Sequence, residues 1–397
     1  MSKMNNISKS QNLFSRALDY LPGGSSRTTV FIRPNPPYAE SGQGAYIKDS
    51  DGNRILDCIN NYTSLIFGHC DYDVMESVSK VLARGWAFGL PTEYEIVLAQ
   101  TLSNRLDVNW LWRFVTSGTE ATMLAIRISR AYTRRNLVVK FAGAYHGSYE
   151  GTLDYGVAGV SKGSGEEILT IPMNDQHALD EIFTIKGADI ACVILDLIPN
   201  RAGLSPADSD FVNLVREYTS RSGSLLILDE VMSLRLGYGG FHKSYKVTPD
   251  LITLGKIVGG GFPAGAVGGR SEIMDILSPG KQGLLAWGGT FNANPISMAA
   301  GACTLSKFDK ASVESLNDVG NRLRQSISAA SVRVSGYGSL MRIFSPKIEE
   351  TWWRFYDSGL LIGTNGLIAL STAMNQDEIE KIYQTIYELR DHLLETV

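Results

Sequence analysis

From about Asp71 to Gly301 the chain alternates segments of helical spacing with short, nearly unbroken apolar runs: Trp112-Arg-Phe-Val115, Leu137-Val-Val-Lys140, Ala191-Cys-Val-Ile-Leu195 and Ser224-Leu-Leu-Ile-Leu228. A strand with one wet face alternates apolar and polar residues, whereas a run without alternation is buried on both faces. Helices must then cover both sides, which restricts this region to an α/β layer fold with a mostly parallel sheet. The two ends of the chain read differently. Residues 10–20 have helical spacing (Leu13, Phe14, Ala17, Leu18) that stops at Leu21-Pro22-Gly23-Gly24. Ala45–Lys48 and Asn53–Asp57 flank a turn at Asp49-Ser-Asp-Gly52, as in a small hairpin. Beyond Ala302 the elements become short and mixed, and a last helix is expected over 376–395. The expected division is a large domain over 71–301 and a smaller α+β domain from both chain ends, 1–70 and 302–397.

Composition narrows the function classes. At 397 residues, 44 % hydrophobic and 20 % charged, the chain has ample material for a large core. A net charge of −4 offers no basic surface for nucleic acid or anionic membrane. No apolar run approaches the roughly 20 residues of a membrane helix, and the polar start Met1–Gln11 has no apolar core of a secretory leader. Cys58, Cys70, Cys192 and Cys303 are scattered, and no two of the five histidines stand three to five residues apart. The expectation is a cytoplasmic protein with reduced thiols and no metal site.

The chemistry sits where the apolar runs end. Leu225–Leu228 ends in Asp229-Glu230, and Asp250-Leu-Ile-Thr-Leu-Gly-Lys256 ends in a single lysine followed by Gly259-Gly-Gly261. A lysine at one strand end and an acid at another are what a pyridoxal phosphate site needs: an amine to form a Schiff base, and a carboxylate to keep the ring nitrogen protonated so that the ring accepts electrons. Glycines beside one lysine suggest backbone packed closely around a ligand. Thr116-Ser117-Gly118-Thr119-Glu120 joins a strand to a helix expected over 121–132, and free N–H groups at such a helix start suit a phosphate. Tyr145 in Gly143-Ala-Tyr-His-Gly147 offers an aromatic face to a flat ring. Val231, two residues past Asp229, could pack on the opposite face, and Gly288-Gly-Thr290-Phe-Asn-Ala-Asn-Pro295 could form a second phosphate grip. Each motif alone has a plainer reading: Ser117 or Thr119 as an ordinary helix cap, Tyr145 and His146 as a buried pair in a tight turn, Asp229 as a strand-end cap, Lys256 as a surface lysine and the 288–295 stretch as a loop turn.

In their order and strand-end placement these motifs resemble the fold-type I pyridoxal phosphate enzymes, specifically the class III aminotransferases. They are most similar to the branch holding glutamate-1-semialdehyde aminomutase and the β-amino-acid aminotransferases. The matching stretches are Leu21-Pro-Gly-Gly-Ser-Ser-Arg27, Ser117–Ala121, Tyr145-His-Gly147, Leu228-Asp-Glu-Val231, Leu254-Gly-Lys256 and Gly289–Pro295, which together span about the whole chain. The resemblance implies a mostly parallel, seven-stranded type of sheet and a homodimer with shared sites. It makes Lys256 the Schiff-base lysine and proton shuttle, and Asp229 the partner of the pyridinium nitrogen. Ser117, Gly118 and Thr119 would lie at the phosphate, Tyr145 and His146 at the ring with Val231 behind it, and Thr290 at the phosphate of the neighbouring subunit. Arg27 would anchor a substrate carboxylate.

The chain departs from that pattern at several places. Many relatives carry Glu-Pro where Asp196-Leu197 stands and a glycine where Asn200-Arg201 stands; Arg201 is a further candidate for a carboxylate or gate contact. Asn365 replaces an arginine found in some β-amino-acid relatives. Trp352 and Trp353 are unusual, and are read as core residues or as closing a pocket. Aminomutases of this branch carry a long glycine- and serine-rich lid after the Tyr-His pair, whereas Ser148–Glu167 is compact here. The expected activity is therefore ping-pong transfer from a carboxylate-bearing amine, such as a β-amino acid, to a keto acceptor. The alternatives are an aminomutase or epimerase, or an inactive cofactor-binding homologue. A nicotinamide dehydrogenase is disfavoured because Gly255–Gly261 lacks the required glycine spacing.

Overall fold

The structure, a computed structural model, describes residues 8–281 and 283–394. Residues 1–7 of the polar start and Glu395 of the expected last helix lie outside these. Residues group by contact into two units, one formed by the chain to Asp71 and from Leu316 onward, the other by Tyr72–Ser315.

The second unit is built on a seven-stranded sheet. Its strands run in the order Leu111–Val115, Gly265–Gly269, Leu251–Leu254, Leu225–Asp229, Ile190–Leu195, Leu137–Phe141 and Ile168–Ile171. Gly265–Gly269 is antiparallel to both neighbours, and every other pairing is parallel. This is the mostly parallel α/β sheet that the apolar runs demanded. Gly265-Ala-Val-Gly-Gly269 carries no apolar run, because three of its five residues are glycine, and its strand character comes from pairing on both sides. The helix Gly118–Thr133 lays Ala121, Leu124, Ala125 and Ile128 on one face of the sheet, against Val115, Val138, Ile194, Ile227 and Val267. The helix Ser209–Ser222 packs on the strands Ile190–Leu195 and Leu225–Asp229, and its Phe211 ring meets Phe141 edge-on at 5.4 Å. Each large side chain so buried contributes roughly 1.5–3 kcal/mol. The small domain was expected to resume at 302, yet the helix Pro295–Lys307 packs on Tyr72–Leu82 and Glu93–Leu106, and the grouping changes at Leu316.

The first unit joins both chain ends by backbone hydrogen bonds. The expected hairpin is present as Tyr46–Asp49 paired with Arg54–Asp57, flanked by Ala39–Gln43 on one side and by Leu360–Leu361 on the other. The Leu56 N–H donates to Gly359 O and the Cys58 N–H to Leu361 O, both at 2.9 Å. Asp49 organises the hairpin turn: its carboxylate accepts the N–H groups of Asp51 and Asn53 and the Tyr356 hydroxyl, which hold its pKa below the ordinary value against the opposing effect of burial. The chain from Val334 adds a three-stranded antiparallel sheet, Val334–Tyr337, Leu340–Ile343 and Leu367–Ala369.

Candidate active site

Five strands of the large sheet, Leu111–Val115, Leu137–Phe141, Ile190–Leu195, Leu225–Asp229 and Leu251–Leu254, run in the same direction and end at one edge. Ser117, His146, Asp196, Asp229 and Lys256 all follow the carboxyl ends of strands, where open α/β sheets bind ligands. Ser117 caps the helix Gly118–Thr133: its hydroxyl accepts the Glu120 N–H at 3.1 Å. Glu120 turns back to accept the Thr116 N–H at 2.7 Å and the Thr116 hydroxyl at 2.6 Å. The plainer capping role and a phosphate role are compatible, since the cap satisfies one of several free N–H groups.

Asp229 is buried. Its Oδ2 lies 2.7 Å from His146 Nδ1, and its Oδ1 accepts the Val231 N–H at 3.0 Å. His146 is itself buried, with its carbonyl accepting the Thr122 hydroxyl at 2.6 Å. Its Nε2 is buried and has no partner among the described residues. Val231 faces the helix start: a methyl group on Gly118 would fall 2.8 Å from Val231 Cγ1, so only glycine lets the two approach. Thr119 Oγ1 lies beside Gly147, bringing the Tyr145–Gly147 turn to the same helix start.

Lys256 has a left-handed backbone, φ 52°, which is costly for a residue with a side chain and is found where surrounding structure enforces it. It keeps some accessible surface, but its surroundings desolvate the amine enough to hold the pKa below the ordinary lysine value; Asp229 and Asp196 act in the opposite direction.

Asp196 did not stand out as a site residue in the sequence, although it too ends an apolar strand. Pairing of Leu195 with Leu228 makes Asp196 and Asp229 the next residues on adjacent parallel strands. Asp196 is buried, with Oδ1 accepting the Ile198 N–H at 3.0 Å. Burial, and then the charge of Asp229, push its carboxyl up to about 7, against smaller lowering effects of the Ile198 N–H, His146 and Lys256. The folded pKa thus lies above the unfolded one, so the folded state binds the proton more tightly. This group favours the fold most at low pH, below its unfolded pKa, and loses that contribution as pH rises through its folded pKa. Asp196→Asn is expected to lose less stability than the native chain between pH 5 and 8. Denaturant midpoints measured across that range test this, and parallel curves would refute it.

The remaining candidates are placed as follows. Tyr145 is partly exposed, its hydroxyl 3.1 Å from Ser148 Oγ, and the Arg201 guanidinium carbon stands 4.1 Å over its ring. Thr290 is exposed in a turn closed by the Asn292 N–H to Gly289 O at 3.0 Å. Arg27 belongs to the first unit, where its Nη1 donates to Asn61 Oδ1 at 2.9 Å. There it lines a cavity of about 370 Å³ with Asn61, Tyr62, Trp352, Tyr356 and Thr364. Trp352 fills core and walls this cavity at once: it is buried, stacked on Tyr356 at 5.1 Å, and donates to Ile362 O at 2.8 Å. Trp353 donates to Arg33 O at 2.6 Å. Asn365 accepts the Leu367 N–H at 3.2 Å within its turn.

A flat, phosphorylated, cationic ring fits this edge of the sheet. A buried acid is available for a ring nitrogen, a glycine-opened helix start for a phosphate, and a desolvated amine for an aldehyde. Comparison with known proteins agrees. The family model for aminotransferase class-III matches residues 33–388. A glutamate-1-semialdehyde 2,1-aminomutase of Aeropyrum pernix is 42 % identical over 322 residues, covering 78 % of this chain and 75 % of that protein. The crystal structure of an omega-transaminase from Sphaerobacter thermophilus superposes with a TM-score of 0.94 at 37 % identity, covering 98 % of this chain and 99 % of that one. A transaminase solved with PLP bound gives a TM-score of 0.94 at 34 % identity, over 97 % and 98 % of the two chains.

Proposed function

Given that the chain belongs to the class-III aminotransferase family, whose cofactor is pyridoxal phosphate, we propose that it moves an amino group between two molecules, from a carboxylate-bearing amine to a keto acceptor. The observation that carries transfer over isomerisation is the segment Ser148–Glu167. It is short and tied down: Asp154 accepts from Lys140 Nζ at 3.0 Å and from the Thr170 hydroxyl, the Ser161 N–H donates to Glu150 Oε1 at 2.6 Å, and Glu167 pairs with Arg130 at 2.9 Å. A segment so fixed is a poor trap for an intermediate that must stay until its amine returns. The 42 % identity to an aminomutase favours the second reading, in which the amine returns to the same skeleton.

Pyridoxal phosphate, when bound, supplies an electron sink for a carbanion. The chain supplies the rest. Asp229, oriented by His146, holds negative charge at the buried end of the site, and the helix start at Gly118 and Thr119 receives the phosphate. Tyr145 and Val231 confine the ring from its two faces. Lys256 Nζ, biased toward the unprotonated amine by desolvation, takes a proton from the substrate carbon and later returns it. Arg27 binds the substrate carboxylate; its guanidinium meets a neutral amide and has no acid in ion-pair range among the described residues. A second copy of the chain covers the exposed apolar residues Trp86, Phe88, Leu90 and Phe291, of which Phe291 follows Thr290 and Trp86 O accepts from Asn294 Nδ2 at 2.9 Å, making the active form a homodimer; a monomeric, fully active enzyme in sedimentation would refute this.

Mixing the cofactor-loaded protein with single amines decides the main point. Loss of the cofactor's absorbance band with one carbonyl product released per site establishes transfer. Conversion of one substrate to its isomer, with no second carbonyl compound required, replaces it with isomerisation. Arg27→Ala is expected to raise KM for β-amino acids relative to an uncharged arylalkyl amine by roughly tenfold or more, the loss of one hydrogen bond to a charged group. An unchanged ratio removes Arg27 from this role.

A further inference from the structure

Four consecutive residues of the first unit, Asn60, Asn61, Tyr62 and Thr63, have left-handed backbones, with φ of 51°, 47°, 53° and 77°. Single asparagines adopt this conformation readily. A run of four without glycine is costly at each step, most of all at an aromatic and a β-branched residue. Such backbone persists only where surrounding structure enforces it, and it concentrates at ligand clamps. The enforcing contacts come from both chain ends. Asp57 Oδ1 accepts the N–H groups of Ile59 at 2.9 Å and of Asn60 at 2.8 Å, while its Oδ2 lies 2.8 Å from His69 Nε2. The Asn60 side chain, fully buried, donates from Nδ2 to Ala369 O at 2.8 Å, and the Leu65 N–H closes the turn on Asn60 O at 3.1 Å.

The turn is built against Arg27. Asn61 Oδ1 accepts from Arg27 Nη1 at 2.9 Å, and the Arg27 guanidinium carbon lies 5.9 Å from the centre of the Tyr62 ring. The Tyr62 hydroxyl donates to Thr29 O, two residues beyond Arg27. Arg27, Asn61 and Tyr62 line the cavity of about 370 Å³, and Asn60 ties their turn to the strand Leu367–Ala369. Arginine has a long side chain with many rotamers, so a carboxylate binds it more weakly when those must first be ordered. Loosening the turn would carry Asn61 and Tyr62 away from the guanidinium and restore that disorder.

We propose that Asn60 is a positioning residue for the carboxylate anchor: it clamps the left-handed turn, and the turn holds Arg27 ready for a substrate carboxylate. This rests on the reading of Arg27 given above, and not on whether the amine is transferred or returned. Asn60, being fully buried, acts through Arg27, so its effect is on selectivity for an acid. A residue that only stabilises the fold would weaken charged and uncharged ligands alike.

The test measures binding to the pyridoxal-phosphate-loaded protein by titration calorimetry, with two unreactive probes, phenylpropanoate and phenylpropanol, which differ in the carboxylate. The native protein is expected to prefer the acid by roughly tenfold or more, and Arg27→Ala to lose that preference. Asn60→Ala removes both the clamp and the tolerance for positive φ, and lowers the preference roughly fivefold, the weight of one hydrogen bond between neutral groups. Asn60→Gly removes the clamp but takes φ 51° without steric cost, so it lowers the preference less, and it carries the test if Asn60→Ala does not fold. A preference unchanged in a folded Asn60 variant, with Arg27→Ala still effective, overturns the positioning role and leaves Arg27 as the anchor. A preference unchanged in Arg27→Ala overturns the reading of Arg27 and this proposal with it.

Discussion

Lys256→Ala lowers turnover by about 10⁴-fold, the upper range for a single positioned acid–base group, while pyridoxal phosphate stays bound through the remaining contacts. The reason lies in its surroundings. Lys256 is the amine among the site residues that desolvation biases toward the unprotonated form, and its left-handed backbone fixes where Nζ can reach. Alanine removes the amine but keeps a Cβ, so the local backbone demand is unchanged. Two readouts separate chemistry from structure. Borohydride treatment followed by mass measurement should add a pyridoxyl mass to the native chain at Lys256 and none to the variant. Small external amines should restore part of the variant's rate, because they supply the missing base. A variant that turns over at the native rate would dismiss Lys256 as the proton-transfer group.

Asp229→Asn is the second large effect, a loss of roughly 10²–10³-fold in kcat, of the size seen when one preorganised electrostatic contact is deleted. Asparagine keeps the shape: its Oδ1 can accept the Val231 N–H, and its amide NH2 can donate to His146 Nδ1 when the ring proton sits on Nε2. Only the charge is lost, so cofactor retention should change little while kcat falls. Asp196 will not substitute: burial, the larger of the effects that raise its carboxyl, persists in the variant even though the Asp229 charge is gone, and biases it toward the neutral acid. If Asp229→Asn keeps native kcat, the negative charge at this strand end has no part in the reaction. If it loses the cofactor entirely, Asp229 is a binding residue first.

How much of this was legible beforehand depends on range along the chain. The expected strand runs are found at Leu111–Val115, Leu137–Phe141, Ile190–Leu195 and Leu225–Asp229, and the helix expected over 121–132 spans Gly118–Thr133. Those elements follow from neighbours within a few residues, as does the idea that Asp229 and Lys256 end strands. Gly265–Gly269 was missed because glycine has no pattern to display; it is a strand only because Leu111–Val115 and Leu251–Leu254 pair with it. In the sequence Asp196 is only a departure from the pattern of relatives and not a partner of Asp229, since nothing local says that Leu195 lies in register with Leu228. Arg201 takes its place over Tyr145 only through the close approach of Gly143 and Ala202, which lie far apart in the sequence.

The sequence by itself determined the layer architecture, the family and the cofactor, because apolar periodicity and strand-end motifs are properties of short segments. Tertiary structure alone decided which charges share one desolvated edge: two acids side by side, a histidine orienting one of them, a lysine biased toward its free amine, and an arginine held over Tyr145. Register and turn-to-turn contact are set between segments tens of residues apart, and Coulomb and desolvation effects depend on those distances rather than on order along the chain.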